Sequence, residues 1–116
     1  MSNELDRLRQ QLRDFAAERD WEQFHSPKNL SMALIVEAAE LVEHFQWLTE
    51  AQSKALPDET RDKVEQELAD IFLYLIRIAD MLDMDLPSAA QRKIEINQQK
   101  YPASQVRGQS KKYTEY

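Results

Sequence analysis

The chain has 116 residues, no cysteine and a formal net charge of −6, so it fits one domain around one hydrophobic core and excludes both a disulfide framework and thiolate metal sites. Hydrophobic residues make up 42% and charged residues 31%, a globular balance, and the acidic surplus argues against nucleic-acid binding. No apolar run is long enough to cross a bilayer and no N-terminal segment reads as a secretion signal, which makes the cytoplasm the expected compartment.

A single glycine and four prolines leave almost no hairpin chemistry, and the chain reads as all-α. The first helix is expected from about Leu5 to Arg19, where Leu5, Leu8, Leu12, Phe15 and Ala16 recur at helical spacing. Trp21 to Pro27 interrupts it. The second is expected from about Leu30 to Leu48, with Pro27 and Asn29 as start signals. It is apolar over most of its circumference, more than a four-helix monomer easily covers, so assembly into an oligomer is expected. Thr49 and Gln52 have capping-box spacing, which allows a short helical turn. Pro57 and Asp58 open a third helix to about Leu82, and Asp83 to Pro87 forms the next turn. A fourth helix from about Ser88 ends by Tyr101, because Pro102 disfavours helical geometry in the residue before it. Residues 1–102 are taken as the domain and 103–116 as a polar tail, mobile in the absence of a ligand.

The second and third helices carry the chemistry. Glu37 and Glu40 lie about 60° apart on one helix face, among Leu30, Ala33, Leu34, Leu41, His44 and Leu48. Glu67 and Asp70 repeat the design beside Val64, Ile71, Tyr74 and Ile78. Acidic i,i+3 pairs are ordinarily solvated, and Glu43, Glu65 and Asp80, which project away from these faces, are read that way. Two like charges packed about 5 Å apart cost roughly 3 kcal/mol at an effective dielectric near 20, before desolvation. A divalent cation offsets that cost. Oxygen ligands without cysteine or a histidine cluster favour Mg²⁺ or Mn²⁺ over zinc. A di-iron centre needs Glu-x-x-His on two helices, and neither histidine here has a glutamate three residues before it.

Lys93, Asn97 and Lys100 form a polar strip on the fourth helix that could hold phosphate oxygens or serve as an exposed basic face. Trp21, Phe24, His25 and Asn29 cluster in the break between the first two helices. They could stack on and read a base, or close the end of the bundle. Trp47 has the same two readings.

Several ordered motifs bear on this choice. They are Arg19-Asp20-Trp21, Phe24-His25, Pro27-Lys28-Asn29-Leu30, Glu37-Ala38-Ala39-Glu40-Leu41 and Glu43-His44-Phe45-Gln46-Trp47. Glu67-Leu68-Ala69-Asp70, Lys93 through Asn97 to Lys100-Tyr101-Pro102, and Arg107-Gly108 leading to Lys111-Lys112-Tyr113-Thr114-Glu115 follow. Together they resemble the MazG-like all-α nucleoside triphosphate pyrophosphohydrolases, and within them the dCTP pyrophosphatase branch. The resemblance implies a four-helix bundle-type fold that assembles as a homodimer or homotetramer with sites at subunit interfaces. It implies Mg²⁺ on Glu37, Glu40, Glu67 and Asp70, phosphates near Lys93, Asn97 and Lys100 with Tyr101 beside them, and a deoxycytidine-type base near Trp21, Phe24, His25, Asn29 and Trp47.

The expected reaction converts a nucleoside triphosphate, dCTP or a modified dCTP, to the monophosphate and pyrophosphate. Water held at the metal or by a carboxylate attacks in line at phosphorus, with Glu37 or Glu40 as general base. Two alternatives stand beside it. One is an enzyme of the same fold for another nucleotide, such as dUTP or a damaged pyrimidine. The other is a non-catalytic helical dimerisation module, which leaves the buried acids unexplained.

Overall fold

The computed structural model describes residues 3–110 and residue 114. Lys111, Lys112, Tyr113 and Glu115 of the last motif lie outside the described residues. Those described form helices without strands: α1 Asn3–Glu18, a 3₁₀ turn Glu22–Phe24, α2 Pro27–Glu43, α3 Glu50–Ser53, α4 Asp58–Met81, α5 Leu86–Lys100 and α6 Ala103–Val106. They divide into two compact units, one ending at Met84 and one starting at Asp85.

Local chemistry sets the boundaries. The amides of Asp20 and Trp21 reach back to the carbonyls of Ala17 and Ala16 at 3.1 and 2.9 Å. Asp20 between them is left-handed, with φ 54°, which closes α1 in a Schellman motif. Asp83 ends α4 the same way, also at φ 54°, with the Met84 amide on the Ala79 carbonyl at 2.8 Å. Aspartate tolerates this conformation better than most residues. Helix α2 starts earlier than expected, because Ser26 caps the Asn29 amide at 3.1 Å and Pro27 suits the first helical position. It also ends earlier, at Glu43. Its backbone tightens there, with His44 and Phe45 bonding the carbonyls of Leu41 and Val42, so Leu48 lies beyond the helix while His44, its C-cap, stays with the acids. The capping box of α3 forms as expected, Gln52 and Thr49 each satisfying the other's amide at 2.9 and 3.1 Å. Helix α5 starts at Leu86 rather than Ser88, because Asp85 accepts from the Ser88 amide. The segment taken as a tail contains the single turn α6.

In the unit ending at Met84, α4 is the central element and packs on α2 and on α1. Leu30, Val64, Ile76, Ala16 and Ala79 are its buried apolar residues. On α2, Met32, Ile35, Val36 and Val42 remain exposed, as do Leu68 and Phe72 on α4. None of the described helices is long and apolar enough to cross a membrane.

Asp80 requires a correction. Read as a solvated acid, it has a side chain only 8% exposed, paired with Arg13 of α1 and Arg77 of α4. Arg13 approaches in a fork, Nε at 2.7 Å from Oδ2 and Nη2 on Oδ1. The Arg13 hydrogen bond, outweighing the opposing effect of burial, holds the Asp80 carboxyl below its usual range. The pairing joins α1 to α4. Asp80→Ala is expected to destabilise the chain by about 3 kcal/mol, because it leaves the buried Arg77 cation short of its counter-ion. Glu65→Ala, an exposed change, should stay within about 0.5 kcal/mol. Urea unfolding of both variants measures the difference.

Candidate functional site

Helices α2 and α4 face each other and bring the acids together. Carboxylate oxygens of Glu37, Glu67 and Asp70 lie within 4.8 Å of one another. Glu37 Oε2 and Glu67 Oε2 are buried without a hydrogen-bond partner. Glu40 stands close enough to Glu37 to influence its carboxyl and is not one of the three. Burial, then hydrogen bonds from Glu40 and Glu67, then the charges of Glu40 and Asp70, push the Glu37 carboxyl up to about 7. Acids this close repel one another when ionised, which favours a retained proton or a bound cation. His44 Nε2 stands 3.8 Å from Glu67 Oε1. Unsatisfied hard oxygens converging from two helices suit Mg²⁺ or Mn²⁺.

A cavity of about 470 Å³ opens beside Asp70, between α1, the residues flanking the 3₁₀ turn, Leu30 of α2, and α4. Asp70 belongs to both the cluster and the cavity wall. Trp21 and His25 line it, with Phe15 and Tyr74. The rings of Phe15 and Trp21 meet edge-on at 5.7 Å, and those of Trp21 and His25 at 6.3 Å. Burial, then the negative charges of Glu37, Asp70 and Glu40, raise the Tyr74 phenol above its ordinary value. Arg77, buried at 6% exposure, donates from Nε to His25 Nδ1 at 3.3 Å. Burial and the Arg77 charge lower the His25 imidazole, against a smaller opposing effect of Glu22.

The other residues singled out from the sequence are placed differently. Asn29 donates its amide to the Phe24 carbonyl at 3.1 Å and so braces the turn. Phe24 and Trp47 are 59% and 86% exposed and do not line the cavity. Lys93 and Asn97 are exposed on α5, in the second unit, while Lys100 and Tyr101 are half-buried there. Sequence reading missed Gln11, Tyr74 and Arg77 as polar groups of the cavity wall. Arg77 was within reach, since it follows Asp70 by two helical turns and stays on the same face.

Residues 32–116 match the MazG-like family. The chain belongs to that family. Among its relatives, dCTP pyrophosphatase 1 of Mus musculus is 44% identical over 113 residues, and that of Homo sapiens 43% identical. Each comparison covers 96% of this chain, which spans 66% of the length of either relative. The crystal structure of a pyrophosphatase from Archaeoglobus fulgidus DSM 4304 is similar with a TM-score of 0.82 and 34% identity, over 88% of this chain and 95% of that one.

The Glu37 carboxyl sets a pH dependence with a definite sign. Its value in the folded chain, about 7, stands above the ordinary 4.5, so between those limits the folded state holds a proton that the unfolded state has released. Stability therefore falls as pH rises through that window. Without metal, the melting temperature should fall from about pH 5 to about pH 8 more steeply than in Glu37→Gln, and added Mg²⁺ should stabilise most at the upper end. Parallel thermal melts across pH measure this. Identical profiles for parent and variant would contradict the shift.

Proposed function

We propose that this MazG-like chain is a Mg²⁺-dependent nucleoside triphosphate pyrophosphohydrolase that converts dCTP, or a modified dCTP, to the monophosphate and pyrophosphate. The observation that carries the reading is the pair of buried, partnerless oxygens on Glu37 and Glu67 within a cluster of acids. The dCTP pyrophosphatase 1 relatives and the Archaeoglobus pyrophosphatase support the reaction class.

Glu37, Glu40, Glu67 and Asp70 are assigned to hold the cation, with Mn²⁺ as a substitute. Bound Mg²⁺ would supply positive charge to the triphosphate and polarise its phosphoryl oxygens. Glu37 and Glu40 are assigned to orient water and accept its proton. A carboxylate that holds the cation through one oxygen leaves the other free to accept that proton. Lys93, Asn97, Lys100 and Tyr101 are assigned to the phosphates, where cations and hydrogen-bond donors counter charge on the departing pyrophosphate. The cavity is assigned to the base, with Trp21 stacking and His25 reading its edge. Phe24, Asn29 and Trp47 are assigned nearby on the strength of the resemblance. The exposed apolar residues of α2 and α4 support assembly with further copies as a dimer or tetramer.

Incubation with dCTP and Mg²⁺ should yield dCMP and pyrophosphate by product chromatography. Orthophosphate with dCDP would mean that a different bond is cut. His25→Ala should change the ranking of nucleotides while leaving the Mg²⁺ dependence in place, measured as kcat/KM across a nucleoside triphosphate panel. An equal loss for every nucleotide would remove His25 from base recognition.

A further inference from the structure

Three charged side chains run from α1 across α4 to the cavity. Arg13 forks onto Asp80, and Asp80 Oδ2 lies 3.5 Å from Arg77 Nη1. Arg77 in turn directs its Nε–H at His25 Nδ1, at 3.3 Å. Both Arg77 and Asp80 have side chains less than a tenth exposed. An imidazole nitrogen that accepts a hydrogen bond carries no proton, so the single proton of a neutral His25 must be on Nε2. The same cation beside Nδ1, together with burial, opposes a second proton.

We propose that Arg77, braced by Asp80 and Arg13, is a positioning residue that fixes His25 as the Nε2–H tautomer, so that the cavity presents a hydrogen-bond donor to its ligand. With the base assigned to this cavity, as proposed above, the fixed donor favours a base edge offering an acceptor, such as a pyrimidine carbonyl or an unprotonated ring nitrogen. A base presenting N–H at that point leaves two donors facing each other. Arg77 acts through His25 and not on the phosphates.

Two substitutions isolate the role. In Arg77→Gln the amide nitrogen occupies the position of the arginine Nε and can still donate to Nδ1, whereas Arg77→Met keeps a similar length without a donor. Asp80 retains Arg13 in both. The chain has two histidines, so imidazole ¹⁵N spectra of the nucleotide-free protein resolve each ring, with His25→Ala supplying the assignment. The parent and Arg77→Gln should show His25 as Nε2–H, and Arg77→Met a mixture or the Nδ1–H form. KM for the preferred triphosphate should rise about five- to tenfold in Arg77→Met, the scale of one hydrogen bond. It should rise less for poorer nucleotides, and Arg77→Gln should recover most of the loss. An Nδ1–H ring in the parent overturns the proposal without reference to any variant. So does a folded Arg77→Met that keeps the Nε2–H form, or a KM rise equal for all nucleotides. The spectrum of the free protein tests the tautomer whichever base the cavity takes, and the His25→Ala nucleotide ranking tests the base assignment separately.

Discussion

Two carboxylate oxygens, Glu37 Oε2 and Glu67 Oε2, are buried between α2 and α4 with no hydrogen-bond partner, and much of the rest of the structure is explicable as the means of holding them there. Isolated buried charge is costly, so an acid in such a place takes up a proton or acquires a counter-ion. Burial and the neighbouring acids push the Glu37 carboxyl up to about 7, which makes it the group that retains a proton when no cation is bound. The packing of α2 on α4 keeps the acids converged, because each helix presents its pair at i,i+3 spacing on the face turned to the other. The arrangement costs stability in the metal-free chain and leaves oxygens whose chemistry suits a hard cation.

Helix α4 carries a second polar system that is satisfied within the protein. From Glu67 and Asp70 the same face runs through Tyr74 to Arg77, and Asp80 lies one turn beyond. Where Glu37 and Glu67 keep oxygens without a partner, Asp80 has two counter-charges, one from α1 and one from its own helix. The contrast separates their roles. A complete ion pair fixes one element against another, while an incomplete cluster leaves coordination for a ligand. The cavity lies between the two systems and shares Asp70 with one and Arg77 with the other. Its wall at His25 is therefore positioned by the network that joins α1 to α4.

The acids were legible because helical periodicity placed both pairs among apolar neighbours, and charge on an apolar stripe needs a reason. The helices were legible for the same reason, and the capping box at Thr49 and Gln52 from its spacing alone. Helix ends were less so. The apolar pattern after Glu43 continues through Phe45 and Leu48, yet the backbone tightens into turns there, and nothing in the periodicity marks the change. Asp80 was misread because its partner Arg13 is 67 residues away, a pairing that no local pattern contains. Arg77 was passed over although it shares the acids' face, since an arginine at a helix margin ordinarily extends to water. The aromatic cluster was half legible. Trp21 and His25 do line a cavity, but which rings reach it depends on how the turn Glu22–Phe24 folds back onto α1.

The central claim is that a cation and a proton compete for the cluster containing Glu37, Glu67 and Asp70. Titration calorimetry of Mg²⁺ into the nucleotide-free chain near pH 7, repeated in buffers of different ionisation enthalpy, measures the protons released on binding. About half a proton per site should be released, since a group titrating at about 7 is half protonated there. The release should disappear in Glu37→Gln, and binding itself should weaken sharply in Asp70→Asn. Binding heats independent of the buffer and unchanged in both variants would contradict the account, leaving the acids without a role in holding the cation.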